Sequence, residues 1–264
     1  MGQKRGFAIV RGGGDIATGV IYRLWRAGFK VVCLETESPL VIRRTVAAAQ
    51  AIFDDSYSIE GMFVKKTNSL QDIDKLNNAV EILVDPHGNS ISEMHPDILV
   101  DAIMTKRNLG TRKDMAPLVI ALGPGFSAPE DVHAVIETKR GHYLGRMITN
   151  GTAIPNTGIP GIEMGYTTER LLRSPADGKL ETVRSIGDKV RKGDLIGKVG
   201  RVSFYAEIDG VLRGLIHPSI EITKGLKIGD IDPRNEPAHC YSITDKALAV
   251  AGGVLEALFV FNAI

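Results

Sequence analysis

Cysteine is scarce: Cys33 and Cys240 are the only two in 264 residues. Two are too few for a disulfide framework or a four-cysteine zinc site. Charge bias is absent as well. There are 32 Lys plus Arg against 31 Asp plus Glu, a net charge of +1, so no general pull toward nucleic acid or an anionic membrane follows. The start, Met1-Gly2-Gln3-Lys4-Arg5, lacks the apolar core of a secretion signal. Long hydrophobic runs are missing too. The longest, Ala247 to Ile264, spans 18 residues and contains Gly252, Gly253 and Glu256, which suits a buried helix better than a membrane span. The expectation is a cytoplasmic protein with no nucleic-acid and no membrane partner. Hydrophobic residues at 44% and charged residues at 24% exclude a disordered tail or a coiled coil. Glycine is the residue in excess, 29 in 264, against a usual share of about 7%.

The first cluster of glycine has a strand before it and a helix after it. Gly6-Phe7-Ala8-Ile9-Val10 reads as a short buried strand and runs into Arg11-Gly12-Gly13-Gly14-Asp15-Ile16-Ala17. Ile16, Val20, Ile21, Leu24 and Trp25 follow at helical spacing, then a second strand, Lys30 to Leu34, with Glu35 at its carboxyl end. Gly12-x-Gly14-x-x-Ala17 matches the dinucleotide-binding fingerprint, and Glu35 lies 23 residues beyond Gly12, close to the usual spacing of about 20. Gly12 permits the tight turn, Gly14 lets backbone approach a phosphate, and Ala17 lets the helix lie close to the strand. The helix amino end adds positive potential, and Glu35 is placed to accept bonds from a ribose diol. Asp15 is a competitor, since its carboxylate can cap the helix in place of a bound anion. A glycine turn without a ligand remains the plain alternative.

Three further strands are predicted at Val80–Val84, Ile98–Ile103 and Leu118–Leu122, each ending in polar or glycine-rich residues. In an open parallel sheet, ligands bind at those carboxyl ends. Lys106, Arg107 and Asn108 are therefore candidates to hold a phosphate or carboxylate, or else form a solvated loop. Gly123-Pro124-Gly125 offers a second anion cradle or a simple turn. Pro129 opens what reads as a helix over 129–137. His133 and Glu137 would then share one face, as structural polar residues rather than a metal site. A glycine- and proline-rich stretch, Asn150 to Gly165, marks a domain boundary.

Residues 174–232 contain a duplication. Asp177-Gly178 is echoed by Asp209-Gly210, and Lys192-Gly193-x-x-x-Gly197 by Lys224-Gly225-x-x-x-Gly229, all at an offset of 32 residues. Short strands between Asp-Gly and Lys-Gly turns predict a small all-β unit. The wording resembles the biotinyl/lipoyl-type barrel-sandwich hybrid. Between the two halves, however, Gly200-Arg201-Val202-Ser203-Phe204-Tyr205-Ala206 holds no lysine, so a swinging-arm carrier is not expected and a lid, spacer or docking surface is. Three parts follow. Residues 1–165 form a Rossmann-like parallel-sheet α/β domain for nucleotide or phosphate. Residues 170–235 form an inserted barrel-sandwich-like module. Residues 240–264 form a helix that returns to the first domain.

Longer phrases carry a more specific resemblance. Arg11–Gly19, Asp101-Ala102-Ile103-Met104-Thr105-Lys106-Arg107-Asn108-Leu109-Gly110-Thr111, Leu122–Phe126 with Asp131-Val132-His133, Glu137–Arg146 and Ile154–Gly158 are similar to the YqeB-like family, accessory proteins of selenium-dependent molybdenum hydroxylases. The resemblance covers nearly the whole chain. It implies a role in maturing such a hydroxylase, with the apo-enzyme as partner and a molybdopterin-type cofactor, or its cytidine dinucleotide form, as ligand. Gly12, Gly14, Asp15 and Ala17 would then border the phosphate, Glu35 the ribose, and Lys106, Arg107, Asn108, Gly123 and Gly125 the rest of the cleft. An NAD(P)-dependent oxidoreductase and a non-catalytic scaffold are the rivals, and sulfur or selenium transfer through Cys240 is a minor one. No catalytic residue and no metal ligand is assigned, and a homo-oligomer is compatible with the sequence.

Overall fold

The computed structural model describes residues 6–73, 78–158 and 161–263. The chain divides into two compact units. The first comprises Met1–Pro39, Ala47–Thr157 and Ile243–Ile264, the second Leu40–Val46 and Gly158–Ser242.

The first unit is built on nine strands. These are β1 (Phe7–Arg11), β2 (Lys30–Glu35), β3 (Ser56–Ile59), β4 (Met62–Thr67), β5 (Val80–Val84), β6 (Ile98–Asp101), β7 (Leu118–Leu122), β9 (Ala134–Ile136) and β10 (Met147–Ile148). They lie in the order β10-β9-β7-β6-β1-β2-β5-β4-β3. A two-residue strand β8 (Ser127–Ala128) pairs separately with β11 (Gly151–Thr152). Seven strands of the large sheet run parallel, while β3 and β10 run antiparallel at its two edges. β1 lies at the centre, with Arg11 in register with both Leu34 on β2 and Asp101 on β6. The chain builds outward from β1 in one direction through β2 and in the other through β6, so the carboxyl ends of β1 and β6 flank the point where the winding reverses.

Alternation along the buried strands sorts their side chains onto two faces. Val10, Cys33, Val100 and Ile120 face helices α1 (Asp15–Arg26), α2 (Gln50–Asp54) and α4 (Asp245–Val260). Ile9, Val32, Leu99 and Val119 face α3 (Ile91–Met94) together with loop residues Phe126 and Val132.

This arrangement corrects the expected Rossmann-like parallel sheet. The sheet is mixed, and only four α-helices occur among the described residues. The cause is local. Between β6 and β7 the chain reads Lys106-Arg107-Asn108-Leu109-Gly110-Thr111, without apolar residues at helical spacing, and folds as loop plus a single 3-10 turn, Lys113–Met115. The helix expected over 129–137 is also absent. Ala134–Ile136 is strand, and three successive buried apolar residues fit a sheet interior better than an amphipathic helix.

The second unit is all-β apart from 3-10 turns. Its strands are β12 (Leu171–Arg173), β13 (Leu180–Thr182), β14 (Lys189–Val190), β15 (Leu195–Val199), β16 (Val202–Tyr205), β17 (Gly210–Leu215) and β18 (Lys227–Asp232). They form two antiparallel sheets of unequal size, β12-β18-β17-β14 and β13-β15-β16, in place of the expected barrel-sandwich hybrid. The duplication is visible in the pairing: Leu180 opposes Val199 in the first copy, as Leu212 opposes Ile231 in the second. The copies also exchange strands. β12 opens the first copy yet pairs with β18 of the second, while its counterpart β16 pairs back with β15. Two reciprocal bonds fasten the exchange, Lys224 N–H to Asp177 and Lys192 N–H to Asp209, each 2.7 Å. A cross-strand ion pair is repeated with its signs inverted. Lys198 meets Glu181 at 3.0 Å on the surface of the first copy, and at the same places in the second, buried Arg213 bonds Asp230.

Candidate functional site

The glycine turn after β1 is held from three sides. Gly12 has φ +96°, and a Cβ there would lie 2.9 Å from the Ala102 carbonyl oxygen, so the turn rests against the chain leaving β6. Gly12 N–H donates to the Leu34 carbonyl at 2.7 Å. Gly13 N–H donates to Glu35 Oε2 at 2.7 Å, and the Gly13 carbonyl accepts from Ala49 N–H at 2.9 Å. The other Glu35 oxygen accepts from Thr36 N–H at 2.7 Å. Glu35 thus braces the glycine turn itself. Gly14 is the N-cap of α1 and supplies no side chain to the first-turn amides. Asp15 Oδ1 accepts from Ile16 N–H at 3.0 Å, and Ala17 is buried against the sheet.

A buried relay joins β1 to the next loop. Arg11, 1% exposed, donates to Thr111 Oγ1 at 2.5 Å, and Thr111 donates to Asp101 Oδ2 at 2.6 Å. Burial raises the Asp101 carboxyl above its ordinary range even though Thr111 and Arg11 oppose the shift. Beyond Asp101, Met104 and Lys106 both occupy the left-handed region, at φ +63° and +65°. Such conformations persist where surrounding structure enforces them, and they gather at ligand clamps. Asn108 braces the stretch that follows. Its amide donates to the Thr111 carbonyl and its Oδ1 accepts from Gly110 and Thr111 N–H, all at 2.8 Å. Asn108 therefore shapes the loop, while the Lys106 and Arg107 side chains are exposed. The turn after β7 interlocks with it: a Cβ on Gly125 (φ +113°) would lie 2.6 Å from Arg107 N, and one on Gly123 2.6 Å from Thr138 Oγ1. The candidates from β1, β6 and β7 thus meet at one sheet edge.

One residue at this edge escaped the sequence analysis. Lys246 lies in the first turn of α4, behind the Thr244 cap, whose hydroxyl accepts from Ala247 N–H at 3.2 Å. α4 packs closely on α1; a Cβ on Gly19 would lie 2.7 Å from the Ala247 carbonyl oxygen. Lys246 is half-buried. Burial lowers its amine below the ordinary lysine range, Arg140 acts in the same direction, and Asp15, Glu137 and Asp245 oppose. Its signal in the sequence was a lysine in the first turn of a helix, where the dipole disfavours a cation.

The remaining candidates have structural partners. Glu137, 2% exposed, accepts from Lys139 N–H at 2.7 Å and Ile154 N–H at 2.8 Å, organising the segment after β9. His133 Nδ1 accepts from Val119 N–H at 3.0 Å. Cys33 and Cys240 are buried, and burial pushes both thiols up, away from the thiolate a nucleophile needs.

No protein-family model matches the chain. Among solved structures, a succinylglutamate desuccinylase from Silicibacter sp. TM1040 aligns at 14% identity with a TM-score of 0.25, over 87% of this chain and 85% of that one. The ectoine utilization protein EutE (DoeB) from Ruegeria pomeroyi, in its product-bound form, aligns at 14% identity and TM-score 0.25, over 86% and 84%. Likeness at that level carries no argument about this molecule. Sequence similarity is far stronger to "Uncharacterized protein YqeB" of Escherichia coli (strain K12), 50% identical over 252 residues. The chain spans about half of that relative, 47% of its length. That similarity runs along 95% of this chain.

Proposed function

We propose that the chain binds a phosphate-bearing ligand at the carboxyl edge of its large sheet, as an accessory protein in maturing a selenium-dependent molybdenum hydroxylase. The cargo is a molybdopterin-type cofactor in its cytidine dinucleotide form, and the partner is the hydroxylase apo-enzyme. The observation that carries the binding site is the convergence of three backbone turns beside a helix start whose N-cap, Gly14, supplies no side chain: Gly12–Gly14, Met104–Asn108 and Gly123–Gly125. The first-turn amides of α1 and its dipole suit an anion, and exposed Lys106 and Arg107 add positive charge. Asn108 and Glu35 act one step back, holding the loop and the glycine turn in shape. The nicotinamide alternative is weakened by Glu35. A ribose diol would have to share a carboxylate whose two oxygens already accept Gly13 and Thr36 N–H.

A thermal-shift panel on the purified chain tests this, comparing CTP and molybdopterin cytidine dinucleotide with NAD(H) and NADP(H). A ligand at about 100 times its Kd adds about 2.7 kcal/mol, or about 2–4 °C for a chain of this size. A cytidine response without a nicotinamide response is expected. Gly14→Asp should abolish it while keeping or raising the ligand-free melting temperature, because aspartate is a good N-cap but repels a phosphate. A nicotinamide response, or none to any of the four, overturns the binding site. Loss of hydroxylase activity in a host deleted for the gene, restored by the wild-type chain and not by Gly14→Asp, is the expected outcome for the maturation role.

A further inference from the structure

We infer that the loop joining β9 to β10 is the nucleoside subsite of the ligand, with the base stacked on the Tyr143 ring; the inference rests on the phosphate site proposed above. The loop, residues 138–146, leaves the sheet at that site. Gly123 N–H donates to the Ile136 carbonyl at 2.8 Å, and a Cβ on Gly123 would lie 2.6 Å from Thr138 Oγ1. Its ends are tied together. Glu137 N–H donates to the Arg146 carbonyl at 3.0 Å, and Gly145 N–H to the Glu137 carbonyl at 2.9 Å. One side rests on α4, where a Cβ on Gly145 (φ +78°) would lie 2.5 Å from the Ala249 carbonyl oxygen. What the loop presents to solvent is therefore fixed in place.

It presents cations around an aromatic ring. Lys139, Arg140, His142 and Arg146 are basic, and no acidic residue occurs between Glu137 and Glu163. Arg140 pairs with Asp245 at 3.1 Å, while no ion pair of Lys139, His142 or Arg146 is found among the described residues. The Arg146 guanidinium instead lies 5.4 Å from the centre of the Tyr143 ring, and the His142 ring stands nearly perpendicular to it at 5.1 Å. These two contacts hold the phenol and still leave Tyr143 52% exposed. A fixed, exposed ring among cations is the arrangement on which nucleotide bases stack. An open cavity of about 450 Å³ adjoins it, lined by His142, Leu144, Gly145, Arg146, Met147 and Glu256, within the roughly 300–1,000 Å³ of small-molecule sites. Glu256 is the single carboxylate in that lining. A bare anion would leave it facing like charge, whereas a base with an amino group, such as cytosine, offers it a donor.

The test is calorimetric affinity for CTP and for inorganic pyrophosphate, which keeps the phosphates and lacks the nucleoside. Wild type is compared with Tyr143→Ala, Tyr143→Phe and Arg146→Gln, whose melting temperatures should stay near wild type because both positions are exposed. Wild type should prefer CTP. Tyr143→Ala should lose about tenfold for CTP, the scale of one base stack, with pyrophosphate affinity unchanged. Tyr143→Phe should keep CTP affinity, and Arg146→Gln should lose it with the same selectivity. Equal wild-type affinity for the two probes, or unchanged CTP affinity in Tyr143→Ala, overturns the inference and leaves the phosphate site standing. A parallel loss of both probes in Tyr143→Ala marks a structural tyrosine and overturns it too. Wild type that binds neither probe overturns the inference together with the site.

Discussion

Asp232 lies wholly buried at the end of β18, with Arg213 Nη1 at 3.0 Å and Arg234 Nη2 at 2.6 Å. Burial alone would raise its carboxyl, but the bonds from Arg234 and the charge of Arg213 outweigh it and hold the group at about 2. A carboxylate depressed in the folded state contributes stability above its unfolded value near 4, and that stability is lost as pH falls from there through about 2. The shift corresponds to about 2 kcal/mol. Asp232→Asn should therefore lower the melting temperature at neutral pH and flatten its fall between about pH 4 and pH 2, measured by calorimetry across that range. Lys246 runs with the opposite charge. Burial lowers its amine, so it loses its proton at a lower pH than an ordinary lysine would. The groups that set this are Asp15 on α1, Glu137 and Arg140 after β9, and Asp245 on α4. At this scale the sequence was partly legible. Spacing put Glu35 beside the glycine turn, but spacing does not say which way a carboxylate turns, and this one turns inward to Gly13. Lys246 was legible only as a cation at a helix start, because the charges around it, Asp15 and Glu137, lie more than a hundred residues away in the chain.

At the scale of elements, α4 separates two adjacent glycines. A Cβ on Gly252 would point into open space, whereas one on Gly253 would collide with the Gly145 carbonyl oxygen and approach Ile136 Cγ2 at 2.9 Å. Gly252→Ala should thus stabilise by about 0.5–1 kcal/mol through helix propensity. Gly253→Ala should destabilise by about 1–3 kcal/mol, since backbone on the far side must move. Urea titrations of the two variants give opposite signs if the packing is as described. α4 was legible as a helix because a long apolar run behind a Thr-Asp start has few other solutions. The stretch 129–137 was misread because Pro129 and a four-residue spacing of His133 and Glu137 imitate a helix start. Ala134–Ile136 instead completes the sheet beside β7, a long-range pairing that no local pattern records. The missing crossover helices are the larger error. Parallel strands imply covering layers, but the sequence between them does not oblige those layers to be helical, and loop residues such as Phe126 and Val132 serve here.

At the scale of the whole molecule, the two compact units divide the chemistry. The glycine turns after β1 and β7 lie on the first, and the second repeats one motif twice. No helix among the described residues is long and apolar enough to cross a membrane. The 32-residue offset was fully legible as a duplication, and what it could not disclose was which copy each strand joins. That has a direct test. Arg201 is exposed in the turn between β15 and β16, and limited trypsin cleavage there should leave two fragments that migrate as one species under native conditions and part only in denaturant. Prompt separation after the nick would contradict the strand exchange.

The exchange also constrains the history of the module. Because the opening strand of each copy is seated in the other, a single copy on its own has a sheet with an empty place and a strand with nowhere to go. Two identical copies related by a twofold axis would fill both vacancies at once. On this geometry a half-length chain is satisfied as a homodimer, and the present module reproduces that arrangement within one chain. The inverted ion pair, Glu181 with Lys198 against Arg213 with Asp230, is then a mark of divergence open only to a fused pair, in which each half can change without altering its twin.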